Sequence, residues 1–247
     1  MKLDILAIAA HPDDVELGCS GTILMEIKNG KKVGIVDLTQ GELGTRGTIE
    51  TRQKEAANAA QVLGVMVREN LKMDDGFFQN DREHQMKLIR AIRKYQPEII
   101  LGNALEDRHP DHGRAAKLIS DSAFLAGLIK IETKGEDGKP QAAWRPKYVF
   151  HFIQDRYLNP SFVIDITDVF EAKMESISCF NSQFYTNGAD SDDDEPQSYI
   201  STPEFLESVV ARARMMGKKI GVKYGEGFLT EKSIGFKTFD SLIQVVT

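Results

Sequence analysis

The sequence predicts an α/β fold with a Rossmann-like, mostly parallel sheet in the order 3-2-1-4-5 and helices on both faces. In the first half of the chain, short apolar and β-branched runs alternate with amphipathic helical patterns. Glycines stand just after two of these patterns, where helices commonly end. Parallel strands need such helical crossovers, so the alternation indicates βα units in one sheet.

The elements of the first half can be assigned in order. The predicted strands are "LDILAIAA", "VGIVDLT", "VMVREN" and "EIILGN". The predicted helices cover 15–29, 50–63 and 81–95, and a fourth begins near Asp111. Gly30 and Gly64 end the first two helices, and Pro97 ends the third. A glycine-rich loop, "QGELGTRGT", precedes the second helix.

The second half is less regular, and we expect it to extend the same sheet within a single domain of residues 1–247. "KYVFHFI" and "SFVIDIT" are two further predicted strands, and Asp168 is predicted to cap a helix over 168–184. A last helix covers 202–219, and "GVKYGEGF" is a segment that can fold back over a pocket. The acidic stretch "TNGADSDDDEPQSYIST" is interpreted as a solvated loop in preference to a cation site.

Composition limits the classes of partner. A 41% hydrophobic fraction is sufficient for a core, while a net charge of −6 leaves no basic stripe for nucleic acid. No apolar run reaches the roughly 18 residues of a membrane helix, and the first residues lack a cleavage-site pattern. Cys19 and Cys179 form no CxxC pair, and Cys19 is expected to pack in the core. These features predict a cytoplasmic protein.

Three of the five histidines stand in two motifs that contain His-Pro-Asp, "AAHPDD" (9–14) and "RHPDH" (108–112), the third being the histidine directly after the second tripeptide. One motif directly follows the first strand and the other shortly follows the fourth. In the order 3-2-1-4-5 these strands are neighbours and the chain leaves them toward opposite faces, which makes the crevice where ligands bind. We therefore expect the two motifs to meet at the carboxyl edge of the sheet. His84 and His151 have no such pattern and are interpreted as surface or structural histidines.

The residue types in the two motifs suit a catalytic metal. His11, Asp14 and His112 offer two imidazoles and a carboxylate, a ligand set that catalytic zinc sites use while keeping one position open for water. Neighbouring side chains leave the backbone in different directions, so one of Asp13 and Asp14 can coordinate while the other is free to act as a base. The alternative is that "HPDD" is only a helix N-terminus capped by Asp13 or Asp14.

"AHPDDVELGCSGT" together with "EDRHPDHGRAA" resembles the LmbE-like, or PIG-L-like, zinc-dependent N-acetylglucosamine deacetylases. "TQGELGTRGTIETR", "CFNSQF", "TPEFLE" and "IGVKYGEGF" resemble the branch that acts on N-acetylglucosaminyl-malate in bacillithiol biosynthesis. The resemblance implies that zinc is held by His11, Asp14 and His112, that Asp13 is the general base, and that His109 steadies the oxyanion. It also implies a small glycoside substrate and a homo-oligomer, often a hexamer.

On this hypothesis His109 is hydrogen-bonded to Asp111 and kept as an imidazolium, which shares the oxyanion with the metal. The resemblance matches Arg52 to an arginine that binds the malate carboxylate; the alternative is a solvated helix arginine paired with Glu55 or Glu42. Arg108 is a second candidate for substrate binding.

Other functions are weighed against this one. Another N-acetylglucosamine conjugate, such as an inositol glycoside or a chito-oligosaccharide fragment, would use the same metal site. A nucleotide-binding module is disfavoured, because two aspartates stand where a pyrophosphate needs glycines. A metal-binding protein without catalysis is the third alternative.

Overall fold

In the computed structural model, which describes residues 1–185 and 195–242, one seven-stranded sheet has the order β3-β2-β1-β4-β5-β7-β6. The first five strands are parallel and in the predicted order, which confirms the fold class. The strands are β1 (Ile5–Ala9), β2 (Val33–Thr39), β3 (Val67–Met73), β4 (Ile99–Gly102), β5 (Tyr148–Phe152), β6 (Phe162–Asp165) and β7 (Gly225–Thr230).

Within the described residues, six α-helices accompany the sheet: α1 (Asp14–Lys28), α2 (Ile49–Leu63), α3 (Arg82–Tyr95), α4 (Pro110–Ala126), α5 (Phe170–Ser178) and α6 (Pro203–Ile220). Their ends follow local chemistry: the Thr48 and Asp81 side chains accept from backbone N–H groups in the first turns of α2 and α3. Gly64 ends α2 in the left-handed conformation, with φ 71°. No helix in the described ranges is long and apolar enough to cross a bilayer.

The alternating side chains of β1 divide the core between the two faces of the sheet. Leu6 and Ile8 pack with residues of α3 and α4, whereas Ile5 and Ala7 pack with residues of α1. The buried Cys19 belongs to the second of these clusters, as predicted. Because α1 and α4 leave adjacent strands toward opposite faces, a crevice opens between their first turns.

One predicted helix of the second half is wrong in its cap and in its length. The helix predicted over 168–184 is a 3-10 turn, Thr167–Val169, followed by α5, and Val169 rather than Asp168 is the N-cap of α5. The helix stops short of residue 184 because of a tertiary contact. The backbone N–H and the hydroxyl of Ser182 both donate to the Glu55 carboxylate of α2, at 2.7 and 2.8 Å. The predicted helix over 202–219 is present as α6.

The segment "GVKYGEGF", predicted to fold over a pocket, supplies β7, which pairs antiparallel with β5 and β6. Glu226 explains why β7 lies in the sheet between β5 and β6. Its carboxylate is buried and accepts from the backbone N–H groups of Gly21 (3.0 Å) and Thr22 (2.7 Å) in α1. It also pairs with the buried Lys173 at 2.8 Å, whose ammonium donates to two carbonyls of α1. The last strand therefore fixes the helix that begins at Asp14.

Candidate active site

The two His-Pro-Asp motifs meet at the carboxyl edge of the sheet, as predicted. The backbone N–H of Ala10, directly after β1, donates to Oδ1 of Asn103, directly after β4, at 2.8 Å. Pro110 is the first residue of α4, and His109 is its N-cap, so the second motif forms the start of that helix. The turns after β1 and β4 are thus tied to each other at the switch point.

The structure brings together the three predicted metal ligands. Nε2 of His112 lies 3.1 Å from Oδ1 of Asp14, and Nδ1 of His11 lies 3.4 Å from Oδ2 of the same carboxylate. Ligands about 2.1 Å from a tetrahedral zinc are separated by roughly 3.4 Å, so these spacings fit. The Asp14 carboxylate is oriented by the side-chain amides of Asn103 (3.1 Å) and Gln154 (2.7 Å), two contacts that the sequence did not predict.

Carboxylates hold the far nitrogen of each histidine. Nε2 of His11 lies 3.0 Å from Asp75 and 3.4 Å from Asp111, and Nδ1 of His112 lies 2.7 Å from Asp107. These contacts leave Nδ1 of His11 and Nε2 of His112 facing Asp14, which is how outer carboxylates orient metal-binding histidines. Neither Asp75 nor Asp107 was predicted. The signal for Asp75 was its place just after β3, whose end adjoins the same edge.

The electrostatics of the group favour a cation. Burial lowers the pKa of His112, but Asp14 and Asp107 outweigh it and raise that pKa to about 9. Burial likewise opposes protonation of His11, whose pKa is nevertheless raised well above its usual value by hydrogen bonds to Asp111, Asp14 and Asp75. A field that stabilises two protons here also suits one divalent ion, and imidazole with carboxylate is a donor set that zinc accepts.

Within the described ranges, two sets of side chains have ligand atoms that all lie within 4.8 Å of one another. One is His11, His109 and His112, and the other is His11, Asp75 and Asp111. His11 belongs to both, and its ring centroid lies 4.7 Å from that of His109. The site is therefore a compact imidazole and carboxylate cluster around His11.

Asp13 has a strained backbone, with φ 133° and ψ −24°, and its side chain makes no capping hydrogen bond to α1. The capping alternative for Asp13 is therefore wrong. Asp14 does accept from the backbone N–H of His11, at 3.0 Å. Burial raises the pKa of the Asp13 carboxyl to about 7, although the Arg52 guanidinium opposes the rise.

Arg52 is buried and is held by the Asp13 turn. Its Nη2 donates to Oδ2 of Asp13 at 2.7 Å and to the carbonyl of Pro12 at 2.6 Å, and its Nη1 donates to Gln183 at 3.2 Å. The alternative of a solvated arginine paired with Glu55 or Glu42 is wrong, because the side chain is only 6% exposed and its partner is Asp13. Arg52 lines the cleft from behind Asp13.

The expected hydrogen bond between His109 and the Asp111 carboxylate is absent from the described contacts. Nδ1 of His109 instead accepts from the backbone N–H of Asp111, at 3.3 Å. The Asp111 carboxylate accepts from the backbone N–H of Gly76 at 2.8 Å and from Arg114 at 2.5 Å. Burial, together with the charges on His11 and His112, lowers the pKa of His109, which favours the neutral ring over the predicted imidazolium.

These residues line a cleft of about 370 Å³. Arg108 lies at its rim, half-exposed, with Nε 3.0 Å from Asp155 and its guanidinium 4.4 Å from the centre of the Tyr199 ring. The cleft is lined by His11, Asp13, Asp14, Leu17, Arg46, Arg52, Asp75, Arg108, His109, His112, Gln154, Asp155, Tyr199 and Arg212, among others.

Other sequence predictions fall outside the cleft. His151 is fully buried and its Nδ1 lies 2.8 Å from the Asn103 carbonyl, whereas His84 contacts its helix cap Asp81, so both are structural. The acidic segment lies mostly outside the described residues. Its described end includes Glu195, whose carboxylate accepts from the backbone N–H of Gly47 at 2.9 Å.

The chain is similar to known proteins in both sequence and fold. The family model described as PIG-L, GlcNAc-PI de-N-acetylase, matches residues 6–123. A crystal structure of a conserved protein from Thermus thermophilus is 33% identical, with a TM-score of 0.82, and covers 95% of this chain and 97% of that one.

Two relatives carry more specific names. Diacetylchitobiose deacetylase of Thermococcus kodakarensis is 28% identical over 234 residues, which are 90% of this chain and 81% of the relative. A probable N-acetyl-alpha-D-glucosaminyl L-malate deacetylase 2 of Bacillus anthracis is 21% identical over 222 residues, 82% of this chain and 91% of the relative. With the family match spanning both motifs, the chain belongs to the PIG-L family of metal-dependent N-deacetylases.

Proposed function

We propose that this protein is a zinc-dependent hydrolase that removes the N-acetyl group from N-acetylglucosaminyl-malate. The observation that carries the proposal is the buried Asp13 carboxylate beside the His11, Asp14 and His112 group, in a cleft of a size for a small glycoside. A base next to an open metal position is what hydrolysis of an unactivated amide needs.

The three proposed ligands are of types that zinc accepts, and the two pairs that share Asp14 lie 3.4 and 3.1 Å apart, close to the spacing of zinc ligands. When bound, zinc supplies an acidified water and polarises the acetyl carbonyl. Asp75, Asp111 and Asp107 keep the histidine rings turned toward Asp14, so the ligand nitrogens are set before the ion arrives.

Asp13 takes the proton of the attacking water at its carboxylate. Arg52 holds one carboxylate oxygen at 2.7 Å and the preceding carbonyl at 2.6 Å, so it fixes the direction of the base. Burial of both groups excludes bulk water from the ion pair and strengthens it. Arg52 is thus proposed as a positioning residue for Asp13.

His109 is proposed to donate a hydrogen bond to the developing oxyanion. Its Nδ1 accepts from the backbone N–H of Asp111, so the proton of the neutral ring lies on Nε2. A neutral imidazole with a fixed tautomer can donate as an imidazolium does, and one such donor commonly contributes about 10²–10³-fold in rate. The proton for the departing amine is then supplied by Asp13, which has taken it from the attacking water and whose burial favours the protonated carboxyl.

The second candidate function is deacetylation of an N-acetylglucosaminide with a different aglycone, because the relative from Thermococcus kodakarensis is named for diacetylchitobiose. The metal group and Asp13 would serve a neutral glycoside equally well. An anionic aglycone is favoured instead by Arg212, a cleft residue that forms no ion pair with the residues that the structure describes.

We expect the metal-loaded enzyme to release acetate from N-acetylglucosaminyl-malate with a kcat/KM at least about 10-fold above that for methyl N-acetylglucosaminide or diacetylchitobiose, since one charge-assisted contact contributes that much. Elemental analysis should find one zinc per chain, and a chelator should abolish turnover until zinc is restored. Equal or better turnover of diacetylchitobiose would reject the malate conjugate and leave the deacetylase.

Arg52→Met should lower kcat about 10- to 100-fold for anionic and neutral substrates alike, because the base loses the donor that orients it. Steady-state kinetics on both substrates make the test. A rise in KM confined to the malate conjugate would show instead that Arg52 binds the substrate carboxylate. Arg214→Met, which alters an exposed arginine of α6 that lies over Tyr224 and outside the cleft, is the matched control.

A further inference from the structure

The arginines of the cleft differ in their partners. Arg52 and Arg108 lie 2.7 and 3.0 Å from the carboxylates of Asp13 and Asp155, respectively, and Arg46 lies 3.9 Å from that of Glu195. Arg212, from α6, forms no ion pair with any residue that the structure describes. Its one hydrogen bond there runs from Nη2 to the Leu17 carbonyl, at the long distance of 3.5 Å.

The carboxylates whose charges act on Arg212 are Asp155, Asp107 and Glu226, and each already has other partners; Glu226 pairs with Lys173. Asp155 contacts Arg108 at 3.0 Å and accepts from the Tyr199 hydroxyl at 3.2 Å. Asp107 contacts His112 at 2.7 Å and accepts from the backbone N–H of Arg156, also at 2.7 Å. A guanidinium has five N–H donors in a planar fork. Arg212 lines the cleft, and its one hydrogen bond in the described ranges leaves most of these donors without a protein acceptor.

An incompletely paired cation in an enclosed position is costly, and a bound anion removes that cost. Desolvation lowers the pKa of the Arg212 guanidinium, in spite of the nearby Asp155 and Asp107 carboxylates. A carboxylate suits the fork, because two parallel N–H···O bonds form at once.

The position of Arg212 also suits the substrate. Leu17, whose carbonyl it touches, is three residues after Asp14 in α1, about 4.5 Å along the helix axis. In an N-acetylglucosaminide the aglycone oxygen is on the ring carbon next to the one that carries the acetamide. A scissile amide at the metal group therefore places a short aglycone within a few ångströms of this part of α1.

We propose that Arg212 binds the carboxylate of an anionic aglycone and so determines the preference of the enzyme for acidic over neutral N-acetylglucosaminides. This inference rests on the proposed deacetylation at the metal group. Arg52 is already paired with Asp13, so the carboxylate of the substrate is assigned to Arg212 on α6 instead.

The test compares kcat/KM for N-acetylglucosaminyl-malate, N-acetylglucosamine 1-phosphate and methyl N-acetylglucosaminide in the zinc-loaded enzyme. Arg212→Gln should lower the ratio of anionic to neutral kcat/KM about 10- to 100-fold, mainly through KM. Arg212→Lys should give an intermediate ratio, because an ammonium keeps the charge but not the fork. Arg214→Gln, on the exposed side of α6 over Tyr224, is the matched control and should keep the wild-type ratio.

The outcomes separate the two proposals. A wild-type preference for the malate conjugate that survives Arg212→Gln would overturn this inference and leave the proposed substrate intact. A preference for the phosphate alone would reject malate, and the Arg212→Gln ratio would still decide the role of Arg212. A wild type that prefers neither anion would overturn both. Calorimetric titration with L-malate adds a readout without turnover, in which Arg212→Gln should bind about 10-fold more weakly.

Discussion

His112→Ala should leave the purified protein without stoichiometric zinc and lower deacetylation by more than about 10³-fold, because both the acidified water and the carbonyl polarisation depend on the ion. The substitution removes one of two imidazoles that face Asp14 and leaves the Asp107 carboxylate buried without its partner. Metal content by elemental analysis and acetate release are the measurements.

His84→Ala is the matched control, since the ring of His84 contacts its own helix cap, Asp81, among the residues that the structure describes, and lies outside the cleft. It should keep wild-type metal content and turnover. Retention of full zinc by His112→Ala, with the fold intact by circular dichroism, would show that other members of the cluster hold the ion. The His11, Asp75 and Asp111 set would then be the site to test.

Asp13→Asn should retain zinc and lower kcat by about 10²–10⁴-fold, the range of a lost general base. Asparagine has nearly the same shape and can still accept from Arg52, but it cannot take the proton of the attacking water. The Asp13 carboxylate contacts Arg52 and no ring nitrogen of the proposed ligands among the described contacts, so metal binding should persist. Elemental analysis and single-substrate kinetics measure the two effects separately.

Asp74→Asn controls for the loss of one negative charge near the cleft, because Asp74 is exposed and precedes Asp75 in the loop after β3. Its kcat should match that of the wild type. An Asp13→Asn enzyme with wild-type turnover would remove Asp13 from the chemistry and favour a metal-binding protein of another kind or a different base.

The sequence was sufficient to predict the first five strands and the meeting of the two motifs. The reason is physical: parallel strands with helical crossovers allow few arrangements, and the carboxyl ends of β1 and β4 then adjoin. The proximity of His11, Asp14 and His112 follows from that topology, although about 100 residues separate the motifs.

Contacts among side chains could not be predicted in the same way. Asp75 and Asp107 were missed because their roles depend on which ring nitrogen each histidine turns toward them. The pairing of Arg52 with Asp13 depends on a turn with positive φ, which no local pattern in "HPDD" indicates. The place of β7 was missed for a similar reason, since buried ionic contacts to α1 determine it.

The left-handed backbone at residue 13 lowers the stability of the folded protein. A side chain there holds a conformation that costs on the order of 1–3 kcal/mol and that glycine would adopt freely. Aspartate at this position therefore lowers thermal stability while it supplies the proposed base. Selection for thermal stability alone would favour glycine, and the carboxylate would be lost. Thermal adaptation of this enzyme is therefore expected to occur at other positions, because glycine at residue 13 would stabilise the fold and remove the proposed general base.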